Sequence, residues 1–313
     1  MSTFSLILPG RDPSSTPPAA TDEAMSSTPS DLNGLRRLLD GIDDRLQDLL
    51  IERAAIVSKI GATKKGGNLA AFQPAREAEI IRRLVRRHHG AFPVANLVRM
   101  WREMLAATVS LQSPFSVAVL APSDRPGFWD LARDHYGSNT PMAACDTAGQ
   151  VIRAVAGGEA SIGVLPVPRA GEPDPWWPPL ASADENTPRV MARLPFYAHG
   201  NGRGASAEAL AIGRGMHQES GSDRTLLAVE CAPETSHARI RAALAAPGLV
   251  CTFFASAGNG RSSVNLIEVD GFVPASDARL QKFCAELGTA LRRLTPIGGY
   301  PVPLNAAPPA AKD

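Results

Sequence analysis

The sequence predicts a multidomain chain: an all-α unit of three helices, then a short α/β segment, then a small α+β sandwich. Three observations predict it. Apolar residues recur in alternating steps of four and three from Leu35 to Ile60, and shorter stripes of the same period follow Pro74 and Pro93. After Pro114 that period gives way to short apolar runs alternating with helical ones, as in an α/β segment. From Arg224 the order becomes strand, helix, strand, strand, helix, which is most of a small sandwich.

Taken in order, Ser30 or Asp31 caps the first helix, whose face is Leu35, Leu39, Ile42, Leu46, Leu49, Ile56 and Ile60; it ends near Lys64 and the Gly66-Gly67 pair. The second helix begins at Pro74 with Ile80, Ile81, Leu84 and Val85 on its apolar side and closes at His88-His89-Gly90. The third runs from Pro93 through Val94, Leu97, Val98, Trp101, Met104 and Leu105. Strands are expected at FSVAVLAP (115–122) and SIGVLPVP (161–168), with helices in PGFWDLARDHYG and DTAGQVIRAVAGGEA between them. A connection rich in Pro and Trp follows, then strands around Val190–Tyr197 and Ala207–Ile212. The last region reads as strand TLLAVECA, helix ETSHARIRAALAA, strands LVCTFFASA and SVNLIEVDGFV, and helix DARLQKFCAELGTALRRL. The expected boundaries are a disordered tail over 1–30, the helical domain over 31–113, the α/β region over 114–215, the sandwich over 222–304 and a tail over 305–313.

Composition narrows the function classes. Hydrophobic residues make up 44% of the 313 and charged residues 20%, the balance of a globular chain. Lys+Arg 32 against Asp+Glu 31 leaves a net charge of +1, so no global field draws nucleic acid or anionic lipid, and neither is an expected partner. Any anion site must be local. Cys145, Cys231, Cys251 and Cys284 show no metal-type or CxxC spacing and read as reduced, mostly buried thiols; no metal or cofactor is expected. The Ser-, Thr-, Pro- and Ala-rich start lacks the basic and apolar regions of a signal peptide, which makes the cytoplasm the expected compartment. No run is long enough to span a bilayer. The strings HGNGRGAS and SAGNGRSS do not join a strand to a helix as a phosphate cradle requires, and read as turns.

The chemistry lies in polar residues that interrupt the helical stripes. Arg53 takes the place between Leu49 and Ile56 where the stripe calls for a hydrophobe. Lys64, eleven residues on and close to three full turns, falls on the same face. Two inward-facing cations are costly unless an anion neutralises them, so an acidic small molecule is a natural ligand. An isolated Arg there could equally snorkel at the helix edge. Glu77 precedes Ile80 and Ile81 by three and four, and Thr108 and Gln112 continue the line of Trp101, Met104 and Leu105. Each has an ordinary explanation: a first-turn acid, a core hydroxyl bonded to the preceding turn, a solvated last-turn amide. All three helices nonetheless direct polar groups to their apolar side, which describes a polar pocket within a bundle.

The segments LRRLLDGIDDRLQDLLIERAAIVSKIGATK, REAEIIRRL and a third helix ending TVSLQ resemble the all-helical chorismate mutases over about eighty residues. The resemblance implies an isomerase that rearranges chorismate to prephenate in aromatic amino-acid biosynthesis, built as an intertwined homodimer without cofactor. Arg36, Arg53, Lys64, Arg76, Glu77, Thr108 and Gln112 match the family's substrate-binding positions. By that likeness Arg53 and Arg36 hold the two carboxylates of chorismate, with Arg36 supplied across the subunit interface. Lys64 and Gln112 donate to the ether oxygen, Glu77 binds the ring hydroxyl, and Arg76 and Thr108 support the carboxylate side. The family often has Ser at the place of Thr108 and an acid at the place of Gln73, where the backbone amide can still meet the substrate. Such an intramolecular rearrangement needs no nucleophile, metal or proton transfer. Holding the reactive conformer and placing donors where charge grows on the ether oxygen suffices.

Residues 115–168 resemble the first part of a prephenate dehydratase, but Pro168 and Arg169 stand where that family has Glu and Asn. Its Thr-Arg-Phe tripeptide is replaced by Ala207, Glu208 and Ala209, and the region is about half the length of a two-lobed dehydratase domain. Residues 224–304 resemble the ACT domain that follows dehydratases, most clearly in LRRLTPIGGYPVP. SAGNG and APETS stand where phenylalanine-sensing versions carry their effector motifs, and the resemblance implies an amino-acid effector at the ACT-like domain as a further partner. The expected function is thus a chorismate mutase fused to a truncated dehydratase-like region and an ACT-like domain. The alternatives are a bifunctional mutase and dehydratase, or a non-catalytic regulatory or ligand-binding protein.

Overall fold

The computed structural model describes residues 31–64, 72–124, 127–197, 207–258 and 263–304; the side chain of Lys64 is outside that description. The expected tails, the Gly66-Gly67 pair, the whole of HGNGRGAS and the centre of SAGNGRSS lie outside the described residues.

Three helices come first: α1 (Leu32–Lys64), α2 (Pro74–Arg87) and α3 (Val94–Ser110). Asp31 caps α1 as expected, its carboxylate accepting from the Gly34 amide at 3.1 Å. Compact packing divides the chain after Ile56, so most of α1 forms one unit and residues from Val57 onward form the other.

Within the second unit lie β1 (Val117–Leu120), α4 (Gly127–Tyr136), β2 (Met142–Cys145), α5 (Ala148–Gly157), β3 (Ile162–Pro166), β4 (Arg189–Leu194) and β5 (Ala209–Gly213). They are followed by β6 (Asp223–Cys231), α6 (His237–Ala245), β7 (Cys251–Gly258), β8 (Ser263–Asp270), α7 (Ala278–Leu287) and β9 (Leu291–Pro301). The nine strands among the described residues form one sheet in the order β2-β1-β3-β5-β4-β9-β6-β8-β7. Among the described residues, β1 with β2, β1 with β3 and β4 with β9 run parallel and the other pairs antiparallel.

The sheet therefore passes through both expected regions, 114–215 and 222–304, and joins them at β4 and β9 through the pair Val190 and Gly298. Gly298 has φ +111°, and a Cβ there would stand 2.2 Å from the Val190 carbonyl oxygen, so glycine permits the seam. One hydrophobic cluster also spans the seam, running from Val151 and Val155 of α5 through Trp177 and Leu180 to Leu226, Leu266 and Tyr300. The Pro- and Trp-rich connection is thus a core plug, with Trp177 fully buried and Trp176 donating to the Pro166 carbonyl at 3.0 Å. On the opposite face α4 covers β1 and β3 through Leu131, Ala132 and Tyr136, while α6 and α7 cover β6 and β8. Strand alternation explains the division: Val117 and Val119 face α4 and Ala118 faces α5.

Two local expectations are corrected. The run LRRL, read as the end of the last helix, begins β9, because residues 291–301 pair with β6 along its whole length. Strand β2, MAAC, has no alternation and lies at the sheet edge with its middle residues exposed, so its sequence carried no strand signal. Of the four thiols, all free, only Cys231 is buried and the other three are half-buried.

Candidate active site

In the first unit, α1 carries Arg36, which is exposed, and Arg53, which is half-buried. Burial pushes the Arg53 guanidinium below its ordinary pKa. Around them the whole expected stripe is uncovered: Leu35, Leu39, Ile42, Leu46, Leu49 and Ile56 are 44–60% exposed.

In the second unit, α2 and α3 pack together through Ala78, Ile81, Val98 and Leu105, with Phe196 beneath them. Gln73 is the N-cap of α2 and makes no side-chain cap bond, and its carbonyl accepts from the Glu77 amide at 3.1 Å. It borders a cavity of about 720 Å³ whose wall also includes Phe72, Asn186, Met191 and Arg214. Arg76 is exposed and paired with Glu79 at 2.7 Å. Thr108 is buried and its hydroxyl donates to the Leu105 carbonyl at 2.8 Å, the local bonding usual for a helical Thr.

Gln112 follows the end of α3, where the last carbonyls lose their intrahelical partners. Its Nε2 donates to the Thr108 carbonyl at 3.1 Å, which leaves the second hydrogen of that amide for another acceptor. Oε1 is buried and accepts no hydrogen bond among the described residues. Gly61 of α1 makes room for this side chain, because a Cβ there would meet Gln112 Cγ at 3.1 Å.

Glu77 meets a residue the sequence reading did not single out. Its Oε2 accepts from Arg102 Nη1 at 2.9 Å, and the two side chains are only 13% and 7% exposed. Arg102 lies 5.0 Å from the centre of the Phe196 ring. Burial raises the Glu77 carboxyl pKa and Arg102 opposes that rise; burial likewise lowers the Arg102 pKa and Glu77 opposes it. His135 and Tyr136 of α4 complete the cluster. Burial, then the nearby Arg102 charge, hold His135 well below its ordinary pKa, while burial and Glu77 raise the Tyr136 phenol. A signal for Arg102 existed: it stands four after Val98 and three before Leu105, breaching a stripe as Arg53 does.

Of the eight expected site residues, Arg36 and Arg53 fall in one unit, Gln73, Arg76, Glu77, Thr108 and Gln112 fall in the other with the backbone of Lys64. Among the described residues no group of three or more His, Cys, Asp or Glu could hold a metal, and no helix is long and apolar enough to cross a membrane.

Residues 35–113 match the family model of chorismate mutase type II, which bears out the resemblance of the helical region. The bifunctional chorismate mutase/prephenate dehydratase of Aquifex aeolicus is 33% identical over 141 residues, 44% of this chain and 39% of that protein. This chain spans about two fifths of the length of the curated relatives it matches. Among solved structures, a prephenate dehydratase in complex with L-Phe from Arthrobacter aurescens aligns with a TM-score of 0.44 and 16% identity, over 61% of this chain and 93% of that one. A structure described as GqqA, a novel type of quorum quenching acylase, aligns with a TM-score of 0.45 and 18% identity over 60% of this chain and 95% of that one.

Proposed function

We propose that the protein is a chorismate mutase that works as a homodimer. The observation that carries the reading is that the span matching the family holds the whole polar set, Arg36, Arg53, Lys64, Gln73, Arg76, Glu77, Thr108 and Gln112. Arg53 and the partner's Arg36 grip the two carboxylates and hold the enolpyruvyl arm over the ring; planar guanidinium groups suit that bidentate task. The backbone amide at Gln73 and the Glu77 carboxylate take the hydroxyl end, and Arg76 and Thr108 support the carboxylate side. Lys64 and the second Gln112 N–H donate to the ether oxygen as its bond breaks and negative charge accumulates there.

The uncovered α1 stripe supports the dimer, since apolar faces of this kind mark association surfaces. In the same reading residues 114–304 no longer dehydrate prephenate, because Pro168, Arg169 and the Ala207-Glu208-Ala209 run stand where that chemistry needs other residues.

The test is the loss of chorismate absorbance with wild type beside Arg53→Ala. Wild type turns over and the variant falls by about 100-fold or more, because without that grip the substrate is no longer held in the reactive conformer. Equal slow rates in both would sink the mutase reading. Phenylpyruvate formed from prephenate would restore the bifunctional one.

A further inference from the structure

We propose that Arg102 is a positioning residue for the mutase reaction: wedged between Phe196 and Glu77, it fixes the Glu77 carboxylate so that one oxygen is engaged and the other faces the ring hydroxyl of the substrate. This rests on the function proposed above.

The geometry is that of a clamp. Arg102 Nη1 holds Glu77 Oε2 at 2.9 Å, and Glu77 Oε1 accepts no hydrogen bond among the described residues. A carboxylate has lone pairs on both oxygens, so engaging one orients the other without consuming it. The guanidinium cannot swing away, because Phe196 lies across it at 5.0 Å and its side chain is 7% exposed. Phe196 is itself tied to the segment that follows β9, its carbonyl accepting from the Leu304 amide at 2.7 Å.

Arg102 also compensates the Glu77 charge. From α4, His135 is held neutral and Tyr136 is held as the phenol, so neither offers a countercharge. The segment after β4 contributes the apolar Phe196 ring, and on α2 the neighbouring Arg76 is engaged with Glu79 at the surface. Without Arg102 a buried carboxylate would take up a proton at a higher pH, because desolvation disfavours the charged form. The dehydratase-like region thereby has a part in the mutase site: α4 and Phe196 make the walls that bury the pair.

The test measures kcat and KM for chorismate between pH 5.5 and 9 in wild type, Arg102→Gln, Arg102→Lys and Arg102→Gln/Glu77→Gln. In Arg102→Gln, KM at pH 7 rises about 10-fold while kcat changes less, since the substrate's hydroxyl end is held more weakly in ground and transition states alike. The acid limb of kcat/KM moves up by about one pH unit or more, and the deficit closes toward pH 9. Arg102→Lys, which restores a cation, stays near the wild-type limb. The double variant has no such limb, which identifies Glu77 as the titrating group. If Arg102→Gln does not fold, Phe196→Leu loosens the clamp without removing the charge and must still raise KM more than it lowers kcat.

A limb that stays in place in Arg102→Gln, or kcat and KM damaged equally at every pH with Lys no better than Gln, overturns the proposal and leaves Arg102 a purely structural residue. Absence of chorismate turnover in wild type overturns the reading on which it rests instead.

Discussion

Helix α1 and the pair α2 and α3 carry the same kind of amphipathic stripe, yet they meet opposite conditions in one chain. Ala78, Ile81, Val98 and Leu105 are 1–6% exposed, whereas the leucines and isoleucines of the α1 stripe are half open to solvent. Burying a Leu or Ile fully contributes about 1.5–3 kcal/mol, so covering what remains open on α1 is worth on the order of 1 kcal/mol per residue. The α2 and α3 stripes are completed by residues of the same chain, such as Phe196. The α1 stripe is written for a surface supplied from elsewhere, which in the proposed function is a second copy.

The strongest way to break that contrast is a charge in the middle of α1. Leu46→Glu is expected to leave a monomer in sedimentation and to cut mutase activity by about 100-fold or more, because Arg36 can no longer reach the other site, while thermal unfolding of the sheet region is unchanged. A dimer that survives this change would remove the proposed interface.

Gln112→Glu separates the donor role from mere packing. A Glu there donates only when protonated, so activity at pH 8 falls about 100-fold and recovers as the pH is lowered; a flat profile would count against Gln112 as a donor to the ether oxygen. Gly61→Ala is gentler. Removing an interior helix glycine favours α1 by about 1 kcal/mol, but the new methyl presses on Gln112 Cγ. The expected result is a melting temperature no lower than wild type with activity reduced a few-fold, measured on the same sample.

The smallest effect belongs to the sheet side of the comparison. His135 is buried and neutral, its pKa depressed, so the unfolded chain binds a proton that the folded chain refuses. Stability is then full above the unfolded value of about 6.5 and declines as the pH falls from there toward the depressed folded pKa. His135→Phe should flatten that slope in urea titrations between pH 7 and 5, and an unchanged slope would assign it to another group.

The helices were legible because periodicity, caps and breakers agree: Asp31 caps α1, and Pro74 opens α2. Strand β9 was not, because LRRL continues a helical stripe and only nine-residue pairing with β6 decides otherwise. Nor was the fusion of both C-terminal regions into one sheet, which depends on a glycine admitting the Val190 backbone. Arg53 stood out as a cation in a clear stripe. Arg102 makes the same breach, but its meaning depends on Glu77, 25 residues earlier on another helix, and on an aromatic ring that arrives far later in the chain. One sequence shows an anomaly readily; it does not show what resolves it.

Arg82 gives that distance a temporal meaning. From α2 its guanidinium donates to the carbonyls of Ser220 and Ser222 and to that of Val302, 220 residues further on. Closing so long a loop is entropically expensive, and the acceptor does not exist until the last strand has been synthesised. At about 5–20 residues per second, a ribosome needs roughly 10–45 s to travel from Arg82 to Val302. The helix that carries Glu77 is thus made long before the residues that lock it in place.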